Sequence, residues 1–197
     1  MSTGAPAQPC WWDLTTQAGR LTLSPVKPER DLLDVHRWMN DPAVARYWGL
    51  DGPAERVAAH LAEQRRLPHT DAYLARLAGR PIGYWEVYRA AEDRLARYYP
   101  ALRDDIGVHM LIGEPDCRGI GLGSLLLRAV CDAIQSGPQG PCRVVAEPDE
   151  RNTASVRAFR SAGFEPAGTI DLPEKRAALV IRSAVPRPRR PCDTGAP

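Results

Sequence analysis

The segment from residue 104 to residue 126 constrains the fold most, because its periodicity changes at a cluster of glycines. It reads DDIGVHMLIGEPDCRGIGLGSLL. Apolar residues alternate over residues 105–113, which predicts a β-strand. Over residues 119–136 the apolar residues recur every three or four positions, which predicts an amphipathic helix. A strand that leads through glycines into a helix is typical of a protein that mixes sheet and helices.

The same two periodicities recur through the rest of the chain. Short apolar or alternating runs predict strands over residues 21–26, 71–79, 80–90, 142–148, 164–170 and 175–183. Helical spacing predicts helices over residues 31–40, 53–67 and 152–163, and Asp41-Pro42 is expected to end the first of them. We therefore predict an α/β fold with a mixed central sheet of about seven strands, flanked by about four helices.

A chain of 197 residues is long enough for one domain with its own core. We place that domain at residues 20–184. Residues 1–19 are mostly small and polar, apart from Trp11-Trp12, and are expected to form a flexible leader. Residues 185–197 are rich in Pro and Arg and predict a disordered basic tail, either an interaction segment or a solvated end.

Composition excludes several classes of function. A net charge of +2 gives no general field for nucleic acid, and the apolar runs are too short to span a bilayer. The N-terminus lacks the pattern of a signal peptide. Five scattered cysteines without a CxxC pair argue against a metal site and for a reducing cytoplasm. We expect a cytoplasmic monomer or homodimer without metal.

The glycine turn has the features of an anion site. Gly119, Gly121 and Gly123 allow close approach of the backbone to a ligand, and the following helix adds its partly positive N-terminus. Arg118 adds a cation, so the turn suits a diphosphate. Neither GxxxxGK[ST] nor GxGxxG is present, since Ser124 occupies the place of the third glycine. A turn that only lets the helix pack is an equal alternative.

Two motifs resemble those of the GNAT N-acyltransferase superfamily. The turn matches R/Q-x-x-G-x-G/A, and EPDERNTASVRAFRSAGFEPAGTI resembles the family's next element. The resemblance implies a GNAT fold with splayed strands, and acetyl-CoA or another acyl-CoA as co-substrate. It implies that CoA is held by loop and helix residues and by strand backbone, namely Arg118, Gly119, Gly121, Gly123, Ser124 and Asn152, with Met110, Leu111 and Ile112 along the pantetheine.

A closer resemblance is to the siderophore branch of that superfamily, the hydroxylysine acetyltransferases and their mycobactin-pathway relatives. It rests on HRWMNDPAVARYW, GRPIGYWEVYRAAEDRLARYYP, DDIGVHMLIG and EPDERNT, and extends over residues 21–182. This resemblance implies transfer of an acyl group to the hydroxylamine nitrogen of an N-hydroxylated amino acid or diamine. The product would be a hydroxamate.

His109 and Asp149 are the candidate catalytic residues, His109 from the resemblance and Asp149 from its place between a strand end and a capped helix. From spacing alone His109 is more simply a buried structural histidine, whereas in the family this histidine is the proposed base. Asp149 is expected to orient the acceptor or share the proton, with helix N-terminal electrostatics as the alternative. Phe159 lies where many relatives have a tyrosine and cannot donate a proton. Catalysis would then depend on positioning, with a backbone N–H near Met110 or Leu111 polarising the thioester.

Several aromatic and polar residues are candidates for the acceptor site. His36 matches the family's His-x-Trp-Met. The others expected to line the acceptor channel are Trp85, Glu86, Tyr88 and Tyr99, with ordinary core packing as the alternative for the aromatic residues. His60 and His69 are expected at the surface. Lys175 is expected at a solvated strand end, or against a substrate carboxylate.

Two other functions fit the same motifs. Aminoglycoside 6′-N-acetyltransferases share the glycine loop and the PIGY run at residues 81–84, and their cationic acceptors require an acidic pocket. Acidic residues near these strands leave that possibility open. A GNAT domain that only binds acyl-CoA, as a sensor or scaffold, would contain an intact loop as well.

Overall fold

A computed structural model describes residues 12–137 and 142–184. The strands are β1 Trp12–Thr16, β2 Gly19–Pro25, β3 Thr70–Leu77, β4 Arg80–Arg89, β5 Ile106–Ile112, β6 Val144–Ala146, β7 Glu165–Asp171 and β8 Arg176–Arg182. The helices are α1 Pro28–Met39, α2 Pro42–Trp48, α3 Ala54–Arg66, α4 Leu122–Ser136 and α5 Thr153–Ser161. The predicted tail and Trp11 lie outside the described residues. None of the helices in the described ranges is long and apolar enough to cross a membrane.

The strands form one mixed sheet in the order β1-β2-β3-β4-β5-β6-β8-β7. Neighbouring strands are antiparallel except β5 and β6, which are parallel. In the pairing of β4 with β5, Glu86 lies opposite His109. The predicted mixed α/β fold is confirmed, with one strand and one helix more than expected.

The extra strand lies inside the segment predicted to be a flexible leader. β1 pairs with β2 through a tight turn, and the Trp12 ring stacks on Tyr73 with ring centroids 5.4 Å apart. Asp13 forms an ion pair with Arg20 across the same hairpin. The leader prediction is therefore wrong for residues 12–19, because cross-strand pairs fix this segment to the sheet.

The extra helix begins where Asp41-Pro42 was expected only to end α1. The Asp41 carboxylate accepts a hydrogen bond of 2.8 Å from the Ala43 N–H and caps α2. Proline is well suited to the first turn of a helix, where its missing N–H leaves no bond unmade. Asp41-Pro42 thus ends one helix and starts the next.

Alternation along the central strands distributes side chains between two cores. Leu74 and Tyr84 face α1, α2 and α3, whereas Tyr73 and Trp85 face the core formed with α4 and α5. Each helix contributes an apolar face, and each sheet face is covered. The central strands therefore lie between two helical layers, and a third cluster of buried residues packs around Tyr88, Tyr99 and Val145.

The parallel strands β5 and β6 separate after a short contact. They pair only at Ile106 with Val144 and Gly107 with Val145, and β5 then continues to Ile112 without β6. The Ile106 N–H donates to Arg143 on the β6 side. Because backbone groups alternate along a strand, those of Met110 face the same side as those of Ile106 and point into the gap beyond the last paired residues. The predicted splay is confirmed.

Candidate active site

A groove of about 770 Å³ lies at the end of β5, against the glycine turn, α2 and the start of α5. Gly119 and Gly121 have φ values of 74° and 81°, in the left-handed region that glycine adopts without strain. Gly121 caps α4, whose first N–H groups have no partner within the helix. Gly123 packs α4 close to β5, since an added Cβ would lie 3.6 Å from Met110. The groove suits an extended ligand with an anionic end.

Arg118 lines this groove but does not present a free cation to it. Its guanidinium donates to the carbonyl oxygens of Ile112, at 2.7 Å, and Gly113, and it forms an ion pair of 2.9 Å with Asp41. The prediction that Arg118 binds the diphosphate directly is therefore not supported by its contacts. Arg118 joins the end of β5 to the first turn of α2.

The three strand residues predicted to pair with pantetheine differ in what their backbone offers. The Leu111 carbonyl faces β4, since a Cβ added to Gly83 would lie 2.2 Å from it. The Ile112 carbonyl is occupied by Arg118. Of the three, Met110 is the residue whose N–H and carbonyl both face the gap, so it is the best placed to meet a ligand amide or thioester. The prediction for Leu111 is wrong, because its polar groups belong to the β4 ladder.

A second cavity of about 460 Å³ adjoins the groove, and we call it the chamber. Five residues line both spaces, namely Tyr47, Trp48, Met110, Asn152 and Ser155. Asn152 caps α5 by accepting a hydrogen bond of 3.1 Å from the Ser155 N–H, and the Ser124 hydroxyl donates to the Gly121 carbonyl at the other end. The groove therefore opens into the chamber at the splayed strands.

His109 lies in the chamber between two buried carboxylates. Its Nδ1 is 2.9 Å from Glu86 Oε2, and its Nε2 is 2.5 Å from Glu147 Oε1. Burial opposes charge on the ring, yet the charges and hydrogen bonds of Glu147 and Glu86 outweigh it and raise the pKa of His109 to about 10. Burial likewise opposes charge on both carboxylates, and His109 outweighs it and lowers their pKa values to about 2. These contacts favour the imidazolium form of His109, which donates through both ring nitrogens.

The remaining oxygens of the two carboxylates are also occupied. Glu86 Oε1 accepts from His60 at 2.8 Å and from the Tyr84 hydroxyl at 2.9 Å. Glu147 Oε2 accepts from the Tyr88 hydroxyl at 3.1 Å, and the Lys175 ammonium lies 3.7 Å from Glu147 Oε1. We call these residues the carboxylate cluster: His60, Tyr84, Glu86, Tyr88, His109, Glu147 and Lys175. The cluster is closed, because each carboxylate oxygen has a donor.

Asp149 lines the chamber but is bound to another residue. Its oxygens accept from the Arg151 N–H and side chain at 2.9 Å, 2.9 Å and 2.7 Å. Hydrogen bonding from Arg151 lowers the pKa of this carboxyl. The contacts do not support the prediction that Asp149 shares the proton with His109. The carboxylate that contacts His109 is that of Glu147, two residues earlier in the chain.

The structure divides the predicted acceptor residues into two groups. Glu86 and Tyr88 line the chamber, so they stay candidates for the acceptor site. The prediction is wrong for Trp85, which is 1% exposed in the core beside α4 because it points to the opposite face of β4 from Glu86. It is also wrong for Tyr99, whose hydroxyl donates to Asp105 in a separate core cluster.

His36 lines neither cavity. Its Nε2 lies 2.9 Å from the Gly52 carbonyl, so it fastens α1 to the loop before α3. His60 and His69 were expected at the surface, and this is wrong for both. His60 contacts Glu86, and His69 lies 3.8 Å from Asp93 with a side chain only 13% exposed.

Three functional residues were missed or misplaced by the sequence reasoning. Glu147 follows the buried run of β6, and a carboxylate directly after an apolar strand was the available signal. His60 is adjacent to Leu61 on the buried side of α3. Trp48 ends α2 and meets the His109 ring edge-on with centroids 6.3 Å apart, and no local pattern predicts that contact.

Splayed strands beside a glycine turn at a helix N-terminus are the features expected of an acyl-CoA-dependent acyltransferase. The acetyltransferase (GNAT) domain family matches residues 27–172, and the chain belongs to this family. It is an acyl-CoA N-acyltransferase. In the described part of the chain, no three His, Cys, Asp or Glu side chains are arranged to hold a metal ion.

Curated relatives are similar over most of the chain. N-hydroxyputrescine acetyltransferase of Acinetobacter baumannii is 31% identical over 179 residues, covering 91% of this chain and 85% of the relative. N(6)-hydroxylysine O-acetyltransferase of Escherichia coli is 33% identical over 78% of this chain, which spans 49% of that relative. The lysine N-acyltransferase MbtK of Mycobacterium tuberculosis H37Rv is 34% identical, covering 75% of this chain and 70% of the relative.

Solved structures share the fold. An uncharacterised protein from Bacillus halodurans superposes with a TM-score of 0.84 at 30% identity, covering 90% of this chain and 92% of its own. The aminoglycoside acetyltransferase AAC(6′)-Ib in complex with coenzyme A gives a TM-score of 0.71 at 25% identity, covering 83% of this chain and 94% of its own.

Proposed function

We propose that this protein transfers an acyl group from acyl-CoA to the hydroxylamine nitrogen of an N-hydroxylated amino acid or diamine. The product is a hydroxamate of the kind used in siderophores. The observation that carries the proposal is the closed carboxylate cluster at the end of the groove. It places charged groups beside the reacting atoms without leaving a base that accepts a proton at neutral pH.

The cluster favours an acceptor nitrogen that arrives neutral. A primary alkylamine has a pKa near that of lysine, about 10.4, and must lose a proton before it attacks. Glu86 and Glu147 have pKa values of about 2, and His109 is already protonated with a pKa of about 10. A hydroxylamine nitrogen is much less basic and is neutral at the same pH. The site suits hydroxylamine acceptors better than amines.

The reaction then requires positioning more than proton removal before attack. The acceptor nitrogen attacks the thioester carbonyl carbon, a C–N bond forms, and the C–S bond breaks. The proton that the nitrogen loses ends on the thiolate, so the products are the hydroxamate and free CoA thiol. The Met110 N–H faces the gap, where it is available to polarise the carbonyl. His109 keeps Glu147 charged and in place at the acceptor side.

The names of two relatives support this substrate class, whereas MbtK is named a lysine N-acyltransferase. The A. baumannii and E. coli proteins are named for N-hydroxyputrescine and N(6)-hydroxylysine, and both are more than 30% identical to this chain. The aminoglycoside acetyltransferase supports the fold and the acyl-CoA site. For an alkylamine acceptor, the carboxylate cluster offers no base that accepts a proton at neutral pH.

A thiol-release assay tests the proposal. Acetyl-CoA and succinyl-CoA are combined with N6-hydroxylysine, N5-hydroxyornithine, N-hydroxyputrescine, N-hydroxycadaverine and kanamycin. We expect turnover with at least one hydroxylamine, and a loss of at least tenfold in kcat/KM in His109→Ala. The matched control is His36→Ala, because His36 lines neither cavity. Turnover with kanamycin alone would assign the protein to aminoglycoside acetylation. Tight acyl-CoA binding without turnover would favour a sensor.

A further inference from the structure

Lys175 is the cluster member with the fewest contacts. It lines the chamber immediately before β8, with 19% of its side chain exposed. Within residues 12–137 and 142–184, the ion pair with Glu147, at 3.7 Å, is the one contact its ammonium makes. An ammonium has three N–H donors. At least two donors of a largely buried cation are therefore available to a molecule in the chamber.

The position of Lys175 relates it to the reacting nitrogen. Glu147 Oε1 contacts both the His109 ring and the Lys175 ammonium, so the two cations are close neighbours. Both line the chamber with Met110, whose backbone faces the gap between β5 and β6. An acceptor nitrogen at the end of the groove lies beside this pair of cations, and any oxygen attached to that nitrogen lies there too.

We propose that Lys175 donates a hydrogen bond to the hydroxyl oxygen of the acceptor and so selects a hydroxylamine over the corresponding primary amine. This inference rests on the proposed function and identifies the residue that recognises the N-hydroxyl group. A hydroxylamine brings an acceptor oxygen and no charge. An alkylammonium brings a positive charge and no acceptor, and it meets the like charges of Lys175 and His109.

The neighbouring carboxylates do not reverse this preference. Each oxygen of Glu86 and Glu147 already accepts at least one hydrogen bond. Asp149 is held by Arg151, and Glu174 is paired with Arg94. Asp93 accepts from the Leu95 N–H and lies 3.8 Å from His69. An ammonium in the chamber would have to share these carboxylates with their present partners, whereas a hydroxyl oxygen accepts directly from the Lys175 ammonium. Lys175 thus attracts the hydroxyl oxygen of a hydroxylamine and repels the charge of an alkylammonium.

The test compares acceptor pairs that differ only in the hydroxyl group. Acetyl-CoA turnover is measured with N-hydroxycadaverine against cadaverine and N6-hydroxylysine against lysine, in the unmodified protein, Lys175→Met and Lys175→Arg. Arg176→Met is the matched control, since Arg176 lies outside the chamber and pairs with Glu150. Acetyl-CoA binding, measured by calorimetry, verifies that each variant is folded.

We expect Lys175→Met to lower kcat/KM for both hydroxylamines by about 10- to 100-fold, the effect of losing one charge-assisted hydrogen bond. The values for the amines should stay unchanged or rise. Lys175→Arg should recover part of the selectivity, and Arg176→Met should retain all of it.

Three outcomes would overturn the inference. If the unmodified protein turns over hydroxylamines and Lys175→Met retains the same preference for them over amines, this inference is wrong and the proposed function stands. If only hydroxylysine turnover falls, Lys175 binds the carboxylate of the acceptor instead. If the unmodified protein releases no thiol with either hydroxylamine, the proposed function fails, and this inference fails with it.

Discussion

Glu147→Gln is the substitution that most directly tests the electrostatics of the site. The variant keeps the shape of the side chain and removes one of the two charges that face His109. These charges raise the pKa of His109 from the ordinary 6.5 to about 10, and Glu147 contributes the largest raising effect. With Glu86 alone opposing the cost of burial, we expect the pKa of His109 to fall by at least one unit.

Proton–nitrogen NMR of the histidine rings measures this directly over pH 5 to 11. The unmodified protein should keep one imidazolium signal charged beyond pH 9, and in Glu147→Gln that signal should titrate at lower pH. Asp149→Asn is the matched control, because Asp149 lines the same chamber but is bound to Arg151. If His109 titrates near pH 6.5 in the unmodified protein, the two carboxylates do not hold its charge. His109 would then be available as a base at neutral pH.

The same cluster gives the free energy of unfolding a defined pH dependence. The folded pKa of His109 is raised, so its contribution is complete below about pH 6.5 and is lost as the pH rises through about 10. The two glutamates have lowered pKa values, so their contribution is present above about 4.5 and is lost as the pH falls through about 2. Between pH 6.5 and 10 the folded protein holds one more proton than the unfolded chain, so the free energy of unfolding falls by at most about 1.4 kcal/mol per pH unit. Solvent at the partly exposed ring reduces this effect. In Glu147→Gln, free energies of unfolding from urea denaturation should stop falling at a lower pH than in the unmodified protein, because the folded pKa of His109 is lower.

Three other substitutions test separate parts of the structure. Gly107→Ala would place a Cβ 2.1 Å from the Tyr88 ring. We therefore expect urea denaturation to show a free energy of unfolding lower by about 1–3 kcal/mol, and thiol release to fall at least tenfold. A variant as stable as the wild type would contradict this contact. Arg118→Met should raise the KM for acyl-CoA about tenfold by freeing the end of β5 from α2, and an unchanged KM would argue that Arg118 positions nothing. Tyr99→Phe should reduce the free energy of unfolding by about 1 kcal/mol in urea and leave the KM for the acceptor unchanged, whereas a raised KM would return Tyr99 to the acceptor site.

Sequence reasoning succeeded where a feature is local. The periodicity of α4 and the glycines before it are properties of neighbouring residues, so both the helix and the turn could be predicted. The Asn152 cap of α5 is equally local, because its partner lies three residues away. The GNAT family could be recognised because its motifs are formed by these segments.

It failed where a contact joins distant elements. Glu86 and His109 lie on adjacent strands, but Glu147 is on β6 and His60 is on α3, so the sequence does not show that they meet. Alternation places Tyr84, Glu86 and Tyr88 on one face of β4 but does not show which face is the site, and so Trp85 was misplaced. For Arg118 the residue type was informative, but the direction of its side chain depends on tertiary contacts.

The gap between β5 and β6 also has a mechanical consequence. Among the strands that the structure describes, the ladder between β5 and β6 joins β1–β5 to β6, β8 and β7 through two residue pairs. A ligand with amide groups, lying along Met110, would extend the interrupted ladder and act as a temporary strand between the two halves. Acyl-CoA would then serve as a structural element as well as a reactant, stiffening the sheet at the moment when the acceptor must be aligned.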